Sequence, residues 1–123
     1  MIRFQRLHRS FYHACEGIIY AFTHDQNLRI HVVAAVIVII LSIFFRVSGF
    51  EMGILGVMIL LVLSAEMINS AIEKMVDLIT LEHRKEAKIA KDVAAGMVLL
   101  TALGSIIVGV LIFVPHIMAY LYS

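Results

Sequence analysis

Glu66, Asn69, Glu73 and Asp77 fall in the stretch EMINSAIEKMVD, which directly continues the uncharged run MGILGVMILLVLSA. A carboxylate beside so much apolar sequence is costly unless it is paired, coordinated or used. At 100° per residue, with Glu66 as zero, Asn69 falls at about −60°, Glu73 at about −20°, Ser70 at about +40° and Asp77 at about +20°. One helix face therefore carries all five, and apolar residues take the rest. Carboxylates with a side-chain amide and no cysteine suit a hard cation such as Mg²⁺, which takes oxygen ligands and usually bridges phosphates. Lys91 and Asp92 could hold a phosphate near the same end of the chain's helices, with Asp25 adding a carboxylate and Arg6 and Arg9 leaning over it. These parts suit phosphoryl transfer, which is mostly positioning and charge neutralisation. Glu66 is the deepest carboxylate and suits a general base. At that depth it would meet the hydroxyl of a lipid, not of a soluble sugar.

Each of these residues also has a plainer reading. Asn69 and Ser70 could be interhelical hydrogen-bonding glue. Glu73, Lys74 and Asp77 could be a solvated helix end. His31 reads as an interfacial histidine before it reads as a ligand. His8, His13, His24 and His83 have no metal-like spacing and read as surface, and Cys15 reads as core. The common nucleotide signatures are missing: no glycine precedes a Lys-Ser/Thr pair, and neither H-R-D nor D-F-G occurs. A nucleotide site here would have to be of an all-helical kind.

The elements that must position these groups follow from composition and pattern. The chain has 123 residues, 62% of them hydrophobic, and a mean hydropathy of +0.99. A soluble domain of that size could not bury so much apolar surface, so a single membrane domain is expected. A net charge of +1 gives no argument for nucleic acid, and one cysteine excludes an internal disulfide. The N-terminal stretch lacks an apolar core of signal-peptide length, so no cleaved signal is expected. Phe4, Leu7, Phe11, Cys15, Ile18 and Phe22 recur at helical spacing, with Arg6, Arg9, His13 and Glu16 opposite. Residues 2–24 thus read as an amphipathic helix lying in the membrane interface. A first span is expected over 29–48 and a second over 51–79, with Val47, Ser48 and Gly49 turning between them. A polar loop over 80–92 and a third span over 93–122 complete the chain.

Of the ten Lys and Arg, four precede the first span, five lie between Lys74 and Lys91, and only Arg46 lies in the other loop. By the positive-inside rule the N-terminus and the 80–92 loop are cytoplasmic and the C-terminus is outside. The fold class expected is all-α integral membrane: a surface helix plus three transmembrane helices.

The stretch from Glu66 to Asp77 meets the pattern E-x-x-N-[ST]-A-I-E-x-x-V-D at every fixed position, and Ala90-Lys91-Asp92-Val-Ala-Ala-Gly96-Met-Val-Leu follows A-K-D-x-x-A-[GA]-x-V-L. With these motifs nearly the whole chain resembles the prokaryotic diacylglycerol kinase family, the small integral-membrane lipid kinases. Asn27, Arg29, His31, the Val-Asp-Leu-Ile run at 76–79 and Ala94-Ala-Gly96 resemble its Gram-positive branch, which acts on undecaprenol. The resemblance implies a homotrimeric bundle in the bacterial cytoplasmic membrane, with active sites assembled from neighbouring subunits. It implies ATP as phosphoryl donor and Mg²⁺ as cofactor. The acceptor is a lipid, undecaprenol first and diacylglycerol as the alternative. Glu66 matches the catalytic base, and Glu66 and Ala95 the lipid side of the site. Asp25 and Glu73 match the metal carboxylates. Arg6, Asp25, Asn69, Glu73, Glu82, His83, Arg84, Lys91 and Asp92 match the ATP side. The family usually carries a glutamate where this chain has Asp25, whose side chain is about one methylene shorter. A reading of another class also stands on the residues alone: a non-enzymatic membrane subunit whose polar stripe lines a pore. Either way the stripe needs cover, and a three-span monomer is expected to be too small to supply it.

Overall fold

The computed structural model describes residues 1–123 as four helices: α1 (Phe4–His24), α2 (Gln26–Phe44), α3 (Gly49–Ile79) and α4 (Lys85–Leu121). α2, α3 and α4 are each long and apolar enough to cross a membrane. The 31 residues of α3 and 37 of α4 make rods of about 46 and 55 Å at 1.5 Å per residue, longer than a hydrocarbon core of about 30 Å. Both therefore carry turns that extend beyond an apolar slab.

The joints explain where the helices begin and end. A single residue, Asp25, separates α1 from α2. Its Oδ1 accepts the backbone N–H groups of Asn27 (2.9 Å) and Leu28 (3.2 Å), so it is the N-cap of α2. Arg29 answers from the other side: its guanidinium donates to the carbonyls of Phe22 (3.1 Å) and Thr23 (2.7 Å), in the last turn of α1. Between α2 and α3, Arg46 takes a φ of 53°, in the left-handed region. Ser48 and Glu51 then form a capping box that starts α3.

α3 packs along α4, α2 lies against α3, and α1 folds back against the start of α2. Leu28, Leu55, Val62, Ala65, Ala94 and Ile112 form the small apolar core. Most other large apolar side chains face outward, which fits a chain surrounded by lipid or by other copies of itself. At one end of the bundle Phe44, Phe45, Phe113 and Tyr120 cluster ring against ring, and His116 Nε2 bonds Glu51 Oε1 at 3.1 Å. The expected polar side chains lie at the opposite end.

Several bounds differ from the sequence reading. The N-terminal helix starts at Phe4 and ends at His24, against the expected 2–24. The first span begins at Gln26, because Asp25 caps it there, and closes at Phe44. The connection after α3 is only residues 80–84. Residues 85–92, expected as loop, are the first turns of α4, because KEAKIAKD is rich in strong helix formers and Lys88 pairs with Asp92 one turn on. Cys15 is exposed, not core, since α1 buries none of its residues against the rest of the chain.

Candidate active site

Glu66 lies seventeen residues into α3, about 26 Å along its axis. It is only 3% exposed, and Asn69 6%. The single chain thus covers the deep half of the polar face by itself, contrary to the expectation that a monomer could not. Glu73 and Asp77, on the next turns, stay exposed. The reason lies in the neighbours. α2 begins beside this part of α3 and brings Asp25, Asn27, Leu28 and His31 against it, while Ala94 and Ala95 of α4, with their small side chains, let that helix come close.

Around Glu66 the contacts are specific. Ser70 Oγ donates to Asp25 Oδ2 across 45 residues of sequence, tying the start of α2 to α3. Burial pushes the Asp25 carboxyl up, but the bonds from Ser70 and from the Leu28 and Asn27 amides outweigh it and hold the group below the ordinary aspartate value. Asn69 Nδ2 donates to Glu73 Oε1 at 3.3 Å. Its Oδ1 is buried and has no partner. Glu66 lies against the side chains of Asp25 and Asn27; its nearest basic neighbour is His31, with Nε2 4.0 Å from Oε2, beyond hydrogen-bond range. A buried amide oxygen without a partner, beside a buried carboxylate with no basic group in hydrogen-bond reach, is costly to the fold and is most simply held open for a ligand.

Two hollows meet at these residues. A cleft of about 620 Å³ runs between the end of α1 and α3, lined by Gly17, Tyr20, Asp25, Asn69, Glu73 and Lys74 among others, with Glu66 at its base. A pocket of about 250 Å³ shares Asn27, Glu66, Asn69 and Glu73 with the cleft and adds Ile30, His31, Ala95 and Val98. The cleft is polar enough for phosphates and open to the outside. The pocket is small and half apolar.

The structure therefore brings together Glu66, Asn69, Glu73, Asp25 and Ala95. It does not bring in the rest. Lys91 turns toward α3 and donates to Asp77 at 2.7 Å. Asp92, one residue on and so about 100° round the helix, faces outward and pairs with Lys88. The two were expected to act as a pair and point apart. Glu82 and Arg84 bind each other at 3.1 Å in the short connection, and His83 beside them is exposed. Arg6 lies near the start of α1, in a basic patch with Arg3 and Arg9, about 28 Å along the helix from Asp25. Within one chain it reaches none of the Glu66 cluster.

Four contributors were missed or undervalued from sequence. Asn27 and His31 stand four residues apart on α2, so helical spacing puts them on one face, and both line the pocket beside Glu66. Tyr20 carries the Lys74 ammonium over its ring, 5.1 Å from the centroid, and closes the cleft from α1. Ser70 was read as glue and proves to be glue of a particular kind, the tie to Asp25.

The residues also fit a hard cation. Among His, Cys, Asp and Glu no group of three converges. Mg²⁺ commonly takes only one or two carboxylates and completes its shell with phosphate oxygens and water. Glu73 with the open Oδ1 of Asn69 offers hard oxygen donors of that kind, and the Asp25 carboxylate stands across the cleft.

Comparison with known proteins decides the family. Residues 12–113 match the family model described as prokaryotic diacylglycerol kinase. The chain belongs to that family. It is 42% identical over 110 residues to the undecaprenol kinase of Bacillus subtilis (strain 168), covering 89% of each chain. It is 37% identical over 111 residues to a diacylglycerol kinase of Synechocystis, covering 89% of this chain and 63% of that one. A diacylglycerol kinase of Helicobacter pylori is 33% identical over 92 residues, covering 75% of this chain and 72% of its own. This protein is accordingly an enzyme, a phosphotransferase of the lipid kinase class, built on membrane-spanning helices.

Proposed function

We propose that the protein transfers the γ-phosphoryl group of ATP to the hydroxyl of undecaprenol at the cytoplasmic face of a bacterial membrane. The observation that carries this reading is Glu66: a buried carboxylate with no basic partner in hydrogen-bond reach, on a membrane helix, lining both a polar cleft and a half-apolar pocket. A base so placed takes the proton of an alcohol that arrives from the lipid side, while the phosphates enter from the polar side. The fuller match to an undecaprenol kinase favours that acceptor. Diacylglycerol is the runner-up, on the names of the Synechocystis and Helicobacter relatives.

The roles follow from position. Glu66 accepts the hydroxyl proton. Asn69 and Glu73 face the phosphates from α3, and Asp25 closes the cleft from the head of α2. Mg²⁺, held by Glu73 and Asn69 with Asp25 beside them, would neutralise phosphate charge when bound. Lys91, Asp92, Glu82, His83 and Arg84 stand on the same end of the bundle and serve the nucleotide's outer parts. Arg6 is too far along α1 to serve its own chain's site. It reaches a site only as part of an assembly, which supports a homotrimer whose copies complete one another. α1 lies along the interface with its exposed Phe4, Leu7, Phe11 and Phe22 in lipid. The nine-to-one distribution of Lys and Arg supports a cytoplasmic N-terminus and an outer C-terminus.

The test is phosphorylation by Mg-ATP in mixed micelles, with undecaprenol and diacylglycerol offered separately. Transfer to undecaprenol well above diacylglycerol is the expected result. The reverse preference would keep the chemistry and replace the substrate. No transfer to either from folded protein would overturn the reading.

A further inference from the structure

The half-apolar pocket beside Glu66 does not end at that residue. His31 lines it, and His31 also heads a second, apolar hollow of about 270 Å³ that runs down the bundle between α2, α3 and α4, past Ala34, Val38, Leu55, Val62 and Phe113. One side chain thus stands where a hydrocarbon surface meets the reactive carboxylate. His31 is the only ionisable group between Arg29 and Arg46. Its side chain is 25% exposed, and none of the chain's side-chain or backbone groups hydrogen-bonds it. It was read from sequence as an interfacial residue with no chemistry, and its position argues otherwise.

We propose that His31 holds the acceptor hydroxyl, so that the alcohol of the lipid sits between His31 and Glu66 with its chain entering the apolar hollow. This rests on the kinase reading given above. The spacing is what an alcohol needs. Two polar atoms 4.0 Å apart are too far for a direct bond, yet one oxygen can lie about 2.8 Å from both at once. A neutral imidazole with its proton on Nε2 donates to a lone pair of the hydroxyl oxygen. The hydroxyl donates its own proton to Glu66. That leaves the second lone pair of the oxygen free to attack. When the new oxygen–phosphorus bond forms, the hydroxyl proton passes to Glu66, the bond from the γ-phosphorus to the bridging oxygen breaks, and ADP leaves with that electron pair. His31 keeps its proton throughout. Its task is to fix the direction of the attacking lone pair. Of the other groups lining the pocket, the Asn27 side chain lies against Glu66 itself, Asn69 donates to Glu73, and Ala95 and Val98 offer no donor.

The assignment makes a distinction that a structural histidine would not. His31→Leu keeps the bulk and removes the donor. His31→Gln keeps an N–H at a similar reach. We expect His31→Leu to lower kcat/KM for undecaprenol by about tenfold or more, with KM for ATP within about twofold of the parent, and His31→Gln to recover most of the loss. Circular dichroism and the KM for ATP establish that each variant is folded. Unchanged lipid kinetics in His31→Leu would overturn the proposal. So would an equal loss in both variants accompanied by a raised KM for ATP, because that is the pattern of a packing residue. If the parent protein itself transfers nothing to any lipid alcohol, the kinase reading fails first and takes this assignment with it.

Discussion

Glu51 and Glu66 are two carboxylates on the same helix, and the chain treats them in opposite ways. Glu51 accepts the backbone N–H of Ser48 at 3.0 Å and the ring of His116 at 3.1 Å. It closes one capping box and links α3 to α4. Glu66 is buried more deeply and has no basic partner within hydrogen-bond reach. The far end of the bundle spends its polar groups on one another, and an aromatic cluster packs over them. The near end leaves an acid, an amide oxygen and an imidazole facing space. Satisfied polar groups specify a structure, while unsatisfied ones in a buried place are kept for something that comes and goes. The contrast separates the scaffold of this protein from its working parts without reference to any relative.

The strongest way to break that contrast is Glu66→Gln. It removes the base and keeps the shape. Turnover should fall by about two to four orders of magnitude, as for loss of a general base, with helix content and nucleotide affinity retained. A variant that keeps its turnover would move the base elsewhere. Next in size is Asn69→Leu, which fills the position and deletes both the open oxygen and the bond to Glu73. We expect a rise in KM for Mg-ATP of about tenfold, read from initial rates at varied nucleotide; an unaltered KM would detach Asn69 from the phosphates. Asp25→Asn is subtler. Asn caps a helix as well as Asp, so thermal stability should hold while the loss of charge lowers kcat/KM for Mg-ATP several-fold. Matching losses of stability and rate would show that Asp25 serves only the joint. The smallest effect belongs to the far end. Ser48→Ala should cost about 1 kcal/mol of stability through the lost cap and leave turnover within about twofold. A large loss of activity there would mean that the two ends are coupled and the contrast is false.

What could be read from sequence divides along the same line. Helical periodicity alone put Glu66, Asn69 and Glu73 on one face, because three residues on one helix need no knowledge of any other. The end of α3 at Ile79 was legible for a similar reason: the apolar pattern stops there and polar residues take over. Asp25 was different. Nothing in the spacing says that it meets Ser70. Charge and topology put it at the same end of the chain, but its place against α3 was not legible, since the axial register of α2 against α3 is set by packing. His31 was misjudged for that reason as well. Asn27 and His31 share a face by count, but which neighbour that face meets is a tertiary fact. The Lys91–Asp92 pair shows the opposite limit, for within the chain the two do not act on one spot. Adjacent letters suggested joint action, and a helix turns adjacent residues about 100° apart, so that each found its own partner. The loop over 80–92 failed because charge was taken for irregularity, whereas Lys, Glu and Ala are good helix formers when solvated.

The one-residue corner at Asp25 has a consequence for how a lipid gets in. Asp25 caps α2 while Arg29 clasps the last carbonyls of α1, so neither helix can swing without releasing the other's end. Such an elbow does not serve as a door. α3 and α4 are bound along their length and joined at both ends by Asp77–Lys91 and Glu51–His116, and they do not part easily either. The seam left is the one between α2 and α4, which hardly touch. Ile30 and Val98 flank it beside the pocket, and Ala34 and Ile106 flank it beside the hollow. A long-chain alcohol has no need to leave the bilayer to reach Glu66. If the acceptor is such an alcohol, as proposed, that seam is the route open to it, and to its phosphorylated product.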